Sequence, residues 1–257
     1  MTYKIKAPSH IDTTINLPAS KSISNRALIL HALSGGKELP QNLSDCDDTE
    51  VIINALRDMP PTIDIKAAGT AMRFMTAYLS VTPGEHTITG TERMRHRPIR
   101  VLVDALRTLG ADIQYTDEEG YPPLHINGHS LEGGILTIPG DVSSQYISAL
   151  LMVGPTMKKG LTLRLSGDIV SRPYIDLTMH VMHEFGISVD WTNVDTISVE
   201  HQGIHEQPYT IENDWSASSY WYEILAMLDD RESTVRLPGL KDGTRQGDSA
   251  VRYLYSM

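Results

Sequence analysis

The feature that most constrains the fold is a repeat. Three times the chain passes from a segment of small residues into an apolar helical stretch, and later into a second, amphipathic one. SKSISNRALILHALS, from Ser20, precedes DTEVIINALRDM; AGTAMRFMTAYLSV, from Ala68, precedes RPIRVLVDALRTLGA; VSSQYISALLMVGP, from Val142, precedes RPYIDLTMHVMHEFG. Ser20 and Asp48, Gly69 and Arg97, and Ser144 and Arg172 are each 28 residues apart. Between the helices lie short β-branched or alternating runs bounded by Gly and Pro, namely TTINL, TIDIKA, HTITG, ADIQY, LHING, GGILTI, LTLRLSG, ISVDW and TISVEH, which predict strands. A repeated unit of two helices and four strands predicts an α/β domain made of similar modules packed around shared helices. A fourth unit opens at IENDWSASSYWYEILAML, continues through STVRLPGL and reaches GTRQGDSAVRYLYSM. The last residues fall inside an apparent second helix, before the two strands that complete the earlier units, so a truncated chain is expected.

A chain of 257 residues, 40% hydrophobic and 21% charged, has the composition of a soluble globular protein of one or two domains. Its formal charge of −10 argues against a nucleic-acid or anionic-membrane surface, which needs a basic face, and favours a small-molecule partner. No apolar run approaches the roughly 18 residues of a membrane span, and the opening MTYKIKAPSHIDTTINLP has no apolar core with a cleavage site. A cytoplasmic monomer is the expectation. The single cysteine, Cys46, excludes an internal disulfide and reads as an inert small side chain. The histidine pairs His125 and His129, His180 and His183, and His201 and His205 lack the HExxH order of a zinc site and read as surface positions.

Against this acidic background, basic residues gather at helix starts and the loops before them: Lys21, Arg26, Arg73, Arg93, Arg95, Arg97, Arg100 and Arg172. Several of those helices open with Ser, Gly or Thr, which expose first-turn backbone N–H groups and add hydroxyl donors for phosphate or carboxylate oxygens. A single Ser at a helix start is most simply an N-cap. The recurrence, each time with Arg or Lys, instead predicts a pocket for an acid carrying both carboxylate and phosphate groups, provided the helix starts converge. Arg97 and Arg100 are adequately explained as a charged helix start, and Asp47 and Asp48 as cap and first-turn charges of the next helix.

LPASKSISNRALIL, AGTAMR, GTERMRHRPI, GDVSSQY and GDIVSRPYIDLT, in that order, resemble the signatures of the 5-enolpyruvylshikimate-3-phosphate synthases across almost the whole chain. The resemblance implies transfer of the enolpyruvyl group of phosphoenolpyruvate to the 5-hydroxyl of shikimate 3-phosphate, with no metal or organic cofactor. It implies that Lys21 contacts both ligands, that Ser22 and Arg26 bind shikimate 3-phosphate, and that Gly69, Thr70, Arg73 and Arg93 serve phosphoenolpyruvate. Ser143, Ser144 and Ser171 would reach the shikimate phosphate, Gln145 would lie between the ligands, and Tyr174 would pack beside the shikimate ring. The related UDP-N-acetylglucosamine enolpyruvyl transferases normally have Asn after the motif lysine, whereas Ser22 follows Lys21 here. The chain also departs from the pattern: family members commonly have Asn-Ala before the GTAMR glycine and Pro after its arginine, but Ala67 and Ala68 precede Gly69, and Phe74 follows Arg73.

The resemblance further implies two similar domains, each of three βαβαββ units with helices inside and sheets outside, and an active site in the cleft between them. Residues 14–213 would form the substrate-binding domain, with 1–13 and 214–257 contributing partial elements of the second. The family's main acid/base Asp, with its neighbouring Lys and Glu, belongs to the second half, so no catalytic residue is expected here. The polypeptide by itself is expected to bind shikimate 3-phosphate without turning it over.

Overall fold

The computed structural model describes residues 8–228 and 230–255. β1 (Asp12–Thr14) leads into α1 (Lys21–Leu33) and α2 (Asp47–Asp58). The next unit comprises β2 (Thr62–Asp64), α3 (Gly69–Val81), β3 (Gly84–Thr89), the short α4 (Glu92–Arg95), α5 (Arg100–Thr108), β4 (Asp112–Tyr115) and β5 (Leu124–Gly128). It is followed by β6 (Gly134–Pro139), α6 (Ser144–Val153), β7 (Leu161–Ser166), α7 (Arg172–Glu184), β8 (Val189–Asn193) and β9 (Thr196–Val199). Beyond these lie α8 (Trp215–Met227), β10 (Thr234–Arg236) and α9 (Val251–Leu254).

The second and third repeats form sheets of identical topology, β2-β3-β5-β4 and β6-β7-β9-β8. In each, the first two strands are parallel and joined across a buried helix, while the last two pair antiparallel. Strand alternation sends one face inward: Ile88 opposes Leu124, and Leu163 faces both Leu136 and Ile197 across its two ladders, all of them buried. This is the α/β architecture of repeated βαβαββ units expected from the sequence.

The first repeat differs. Among the described residues, α1 and α2 are accompanied by isolated bridges, Gln41 with Thr210 and Ala19 with Asn213, in place of a four-stranded sheet. Pro40 and Pro208 flank the Gln41 bridge, and neither has the N–H that would extend a ladder. The predicted strand TTINL forms only as β1, and it pairs in parallel with β10 more than two hundred residues away, Asp12 opposite Thr234 and Thr14 opposite Arg236. The Asp12 carboxylate accepts hydrogen bonds from Arg236 and Thr234, holding that exposed pair in register. Residues 1–7 of the segment expected to join the second domain, with Asp229 and residues 256–257, lie outside the described residues.

The inner layer is helical. Every residue from Gly69 to Ser80 in α3 and from Tyr146 to Val153 in α6 is buried, and the two helices pack against one another. A helix buried all round must satisfy its polar side chains internally, and α3 does so locally: Thr76 Oγ1 donates to the Met72 carbonyl and Ser80 Oγ to that of Thr76, each at 2.7 Å. Among the described residues no helix is long and apolar enough to cross a membrane.

The sheet of the second repeat closes on its helix with no room to spare. A Cβ on Gly128, at the end of β5, would lie 1.9 Å from the Thr82 carbonyl oxygen and 2.1 Å from that of Leu79. Backbone atoms on both sides cannot yield as a flexible side chain would. Gly128→Ala is expected to cost about 3 kcal/mol, at the upper end of overpacking penalties, as measured by chemical denaturation.

Candidate functional site

α1, α3, α6 and α7 begin around a single cleft of about 260 Å3, lined by Lys21, Ser22, Asn25, Arg26, Thr70, Ser143, Ser144, Gln145, Ser171 and Tyr174. The helix starts that the sequence presents as repeats therefore converge, and their first-turn amides and positive dipole ends share one space. Nine residues expected in the site line this cleft. Gly69, Arg73 and Arg93 are not in its wall but flank it at the start of α3 and on α4.

Arg26 is the cleft's buried charge. It is 3% exposed and entirely coordinated by neutral groups: Nε donates to Thr178 Oγ1 at 2.7 Å, Nη1 to the Ser22 carbonyl at 2.8 Å, and Nη2 to Ser148 Oγ at 3.1 Å. The guanidinium carbon stands 5.5 Å from the centre of the Phe74 ring. Burial without a carboxylate pushes its pKa down to about 10. Phe74 is the departure from the family pattern noted in the sequence, and here it forms the apolar floor beneath the arginine.

A second cationic group surrounds the start of α3. Arg73 Nη1 donates to the Gly69 carbonyl at 2.7 Å, and a Cβ on Gly69 would lie 2.4 Å from Nη1 of Arg97 and 2.7 Å from Nη1 of Arg73. Glycine is the residue that lets both guanidinium groups approach this backbone. Burial, then the like charges of Arg73 and Arg93, push the pKa of Arg97 down, which places the three arginines within each other's field. Among the described residues none of Arg73, Arg93 and Arg97 makes an ion pair with a carboxylate.

The hydroxyls divide by use. Ser143 spends its Oγ as an N-cap, accepting from the Gln145 amide at 3.4 Å, as a structural account of a helix-start serine requires. Ser171 precedes α7 in the left-handed region, φ 59° and ψ 33°, with no side-chain cap bond. That conformation costs a non-glycine residue about 1 kcal/mol, and its hydroxyl remains at the cleft. Thr70 Oγ1 accepts from Gln145 Nε2 at 3.2 Å, which ties the starts of α3 and α6 together. The Asn25 side-chain oxygen accepts from Thr49 Oγ1 at 2.7 Å, whereas its Nδ2, like Nε of Arg73, is buried with no hydrogen-bond partner among the described residues.

The structure revises several sequence readings. Arg97 is not a helix start: α5 begins at Arg100, three residues on, and Arg97 belongs to the arginine group at Gly69. Arg100 does stand at a helix start and pairs with Glu119 at 2.7 Å. Arg172 lies 4.1 Å above the Trp191 ring, a packing role. Asp47 and Asp48 are first-turn charges of α2, as expected, but the cap position is Cys46, and the Asp48 carboxylate also meets Lys21 Nζ at 3.0 Å and accepts the Thr70 amide at 3.2 Å. The sequence reading passed over Asn25, although it stands inside SNR, one residue before Arg26.

The fold and site together define a class: an α/β protein of repeated βαβαββ units whose helix starts form a cationic, hydroxyl-rich cleft. Comparison with known proteins narrows it. The sequence profile described as EPSP synthase (3-phosphoshikimate 1-carboxyvinyltransferase) matches residues 5–63 and 59–257, and the chain belongs to that family. A 3-phosphoshikimate 1-carboxyvinyltransferase of Bacteroides fragilis is 60% identical over 249 residues, 97% of this chain and 60% of the relative. That of Tolumonas auensis is 37% identical over 275 residues, 96% of this chain and 64% of the relative. The solved EPSP synthase of Acinetobacter baumannii superposes with a TM-score of 0.77 at 22% identity, over 90% of this chain and 56% of that one, and so shares the fold. The chain spans about 60% of the length of the curated relatives it matches.

The surroundings of Arg26 make a stability prediction. Ser148 Oγ and Thr178 Oγ1 already bond to each other at 2.7 Å, so removing the guanidinium leaves neither unpaired. Arg26→Met also removes a desolvated charge, and its melting temperature is expected to stay within about 4 °C of the wild type, equivalent to roughly 1 kcal/mol.

Proposed function

We propose that this chain is the shikimate 3-phosphate-binding portion of a 3-phosphoshikimate 1-carboxyvinyltransferase, an enzyme of the cytoplasm acting as a monomer. The carrying observation is the buried, carboxylate-free Arg26 at the floor of a cleft rimmed by Lys21, Ser22, Ser143, Ser144 and Ser171. An incoming carboxylate would supply the counter-charge that Arg26 lacks, and the serine hydroxyls with Lys21 suit a phosphate. Tyr174, 40% exposed at the rim, offers a ring face to a cyclic ligand. Gly69, Thr70, Arg73 and Arg93, joined by Arg97, would receive phosphoenolpyruvate, and Gln145 would lie between the two ligands, a reading supported by its bond to Thr70.

In the reaction proposed for the whole enzyme, the 5-hydroxyl of shikimate 3-phosphate adds to the enolpyruvyl carbon, and elimination then releases phosphate. What these residues supply is orientation and charge: they hold two mutually repelling anions together and fix the attacking oxygen. The division into a 14–213 domain and flanking elements of a second is proposed on the pairing of β1 with β10 and the packing of α8 against β10 and α9.

A second reading is favoured by a specific observation: the cleft lining contains no Asp, Glu or His to serve as general acid or base. On this reading the 257-residue polypeptide binds shikimate 3-phosphate and does not turn it over. Isothermal titration with shikimate 3-phosphate, then a phosphate-release assay with phosphoenolpyruvate, separates the readings. Binding without release is expected; release at an enzyme-like rate would overturn the non-catalytic reading, and no binding by folded protein would overturn the site. Arg26→Met is expected to weaken shikimate 3-phosphate at least tenfold, the effect of losing one charge-assisted contact to a buried partner.

A further inference from the structure

Asp48 is the acidic group that stands in the basic site. Its side chain is 14% exposed and spends both oxygens there, Oδ2 at 3.0 Å from Lys21 Nζ and Oδ1 on the Thr70 amide at 3.2 Å. It also faces Arg97, beside Arg73 and Arg93. The carboxylate cannot swing away freely, because the first turn of α2 is latched to α1: Thr49 Oγ1 donates to the buried Asn25 side chain at 2.7 Å, and the Ser44 amide to Ser24 Oγ at 3.0 Å. Lys21 lines the cleft, whereas Asp48 sits behind it, outside the lining.

We propose that Asp48 is a built-in counter-anion that masks Lys21 and so determines which anions the cleft accepts. A small free anion that reaches Lys21 finds an ammonium already paired with a carboxylate and gains little. A larger ligand that also reaches Arg26 and the serine wall gains contacts beyond the reach of Asp48, and these offset the repulsion. Discrimination then comes from a repulsive element placed behind the attractive ones. The inference rests on the reading of this cleft as an anion site, but it can be tested without shikimate 3-phosphate.

The probe is inorganic phosphate, titrated at fixed low ionic strength into wild type, Asp48→Asn and Asp48→Glu, with circular dichroism to establish folding. Asp48→Asn keeps an acceptor for the Thr70 amide and removes the charge. Its phosphate affinity is expected to rise about fivefold or more, the effect of one unit charge at this range in a solvated site. Its affinity for shikimate 3-phosphate should rise less, so that the ratio of the two falls, and Asp48→Glu should stay within about twofold of the wild type for phosphate. A merely structural role would weaken both ligands in Asp48→Asn. Folded Asp48→Asn that binds phosphate no tighter than the wild type, or not saturably, overturns the proposal. Asp48→Ser carries the same expectation if the amide variant does not fold. Wild type that ignores shikimate 3-phosphate while Asp48→Asn gains phosphate would remove the proposed function and leave the mask standing; the converse result would remove the mask alone.

Discussion

One buried guanidinium organises the centre of this molecule. Arg26 reaches from α1 to Thr178 on α7 and Ser148 on α6, and lies over Phe74 of α3. Four inner helices meet at a single charge, and none of them supplies a carboxylate. A desolvated cation costs several kcal/mol unless hydrogen bonds or a counter-ion compensate, and here only neutral oxygens do. The arrangement is therefore weak evidence for stability and stronger evidence for a site. The fold bears the cost of a cation that an anionic ligand would relieve.

The helical layer makes this possible. α3 and α6 are buried along almost their whole length, so their N-termini cannot project into bulk solvent as surface helices do. They open instead at one edge of the layer, together with α1 and α7, where the Thr70 amide is taken by Asp48, the Gln145 amide by Ser143, and the side chains of Lys21, Ser22, Ser144 and Ser171 line the cleft. Topology and electrostatics coincide here. The βαβ connections that place α3 and α6 under their sheets also aim both helix starts at the same cleft, and the Thr70 to Gln145 bond locks the two starts in step.

Much of this was legible in the sequence, for identifiable reasons. The repeats of small residue, apolar helix and amphipathic helix predict modules, and a shared anion pocket follows from them only if the helix starts converge; Ser143, Ser144, Ser171 and Lys21 do line one cleft. What escaped was pairing between distant segments. Nothing in TTINL announces β10 as its partner across the chain, and the first repeat reads like the others although Pro40 and Pro208 confine its ladder to a bridge. Arg97 and Asp48 were hidden by sufficiency: a charge beside a helix start already has a local explanation, which leaves no reason to look for Gly69 or Lys21 as neighbours. Ser171 was named from the family resemblance, but its backbone conformation was not legible. It reads as a cap, yet its left-handed backbone leaves the hydroxyl unspent.

A net charge of −10 and a cleft lined by Lys21 and Arg26 act on different length scales. At physiological salt the Debye length is about 8 Å, so carboxylates scattered over the surface contribute little inside a cleft lined by helix starts. The local field is set by Lys21 and Arg26 on α1, Arg73 on α3, and Arg97, which reaches Gly69 from the segment between α4 and α5. Asp48 is the acidic side chain paired directly into that group, and its position matters more than the bulk charge. Net charge acts on long-range encounter, whereas the potential inside a cleft is set by the groups that line it. The charges are therefore sorted by position: Arg26 and Arg73 are buried beside the cleft, Lys21, Arg93 and Arg97 stand nearer solvent, and Asp48 is paired among them.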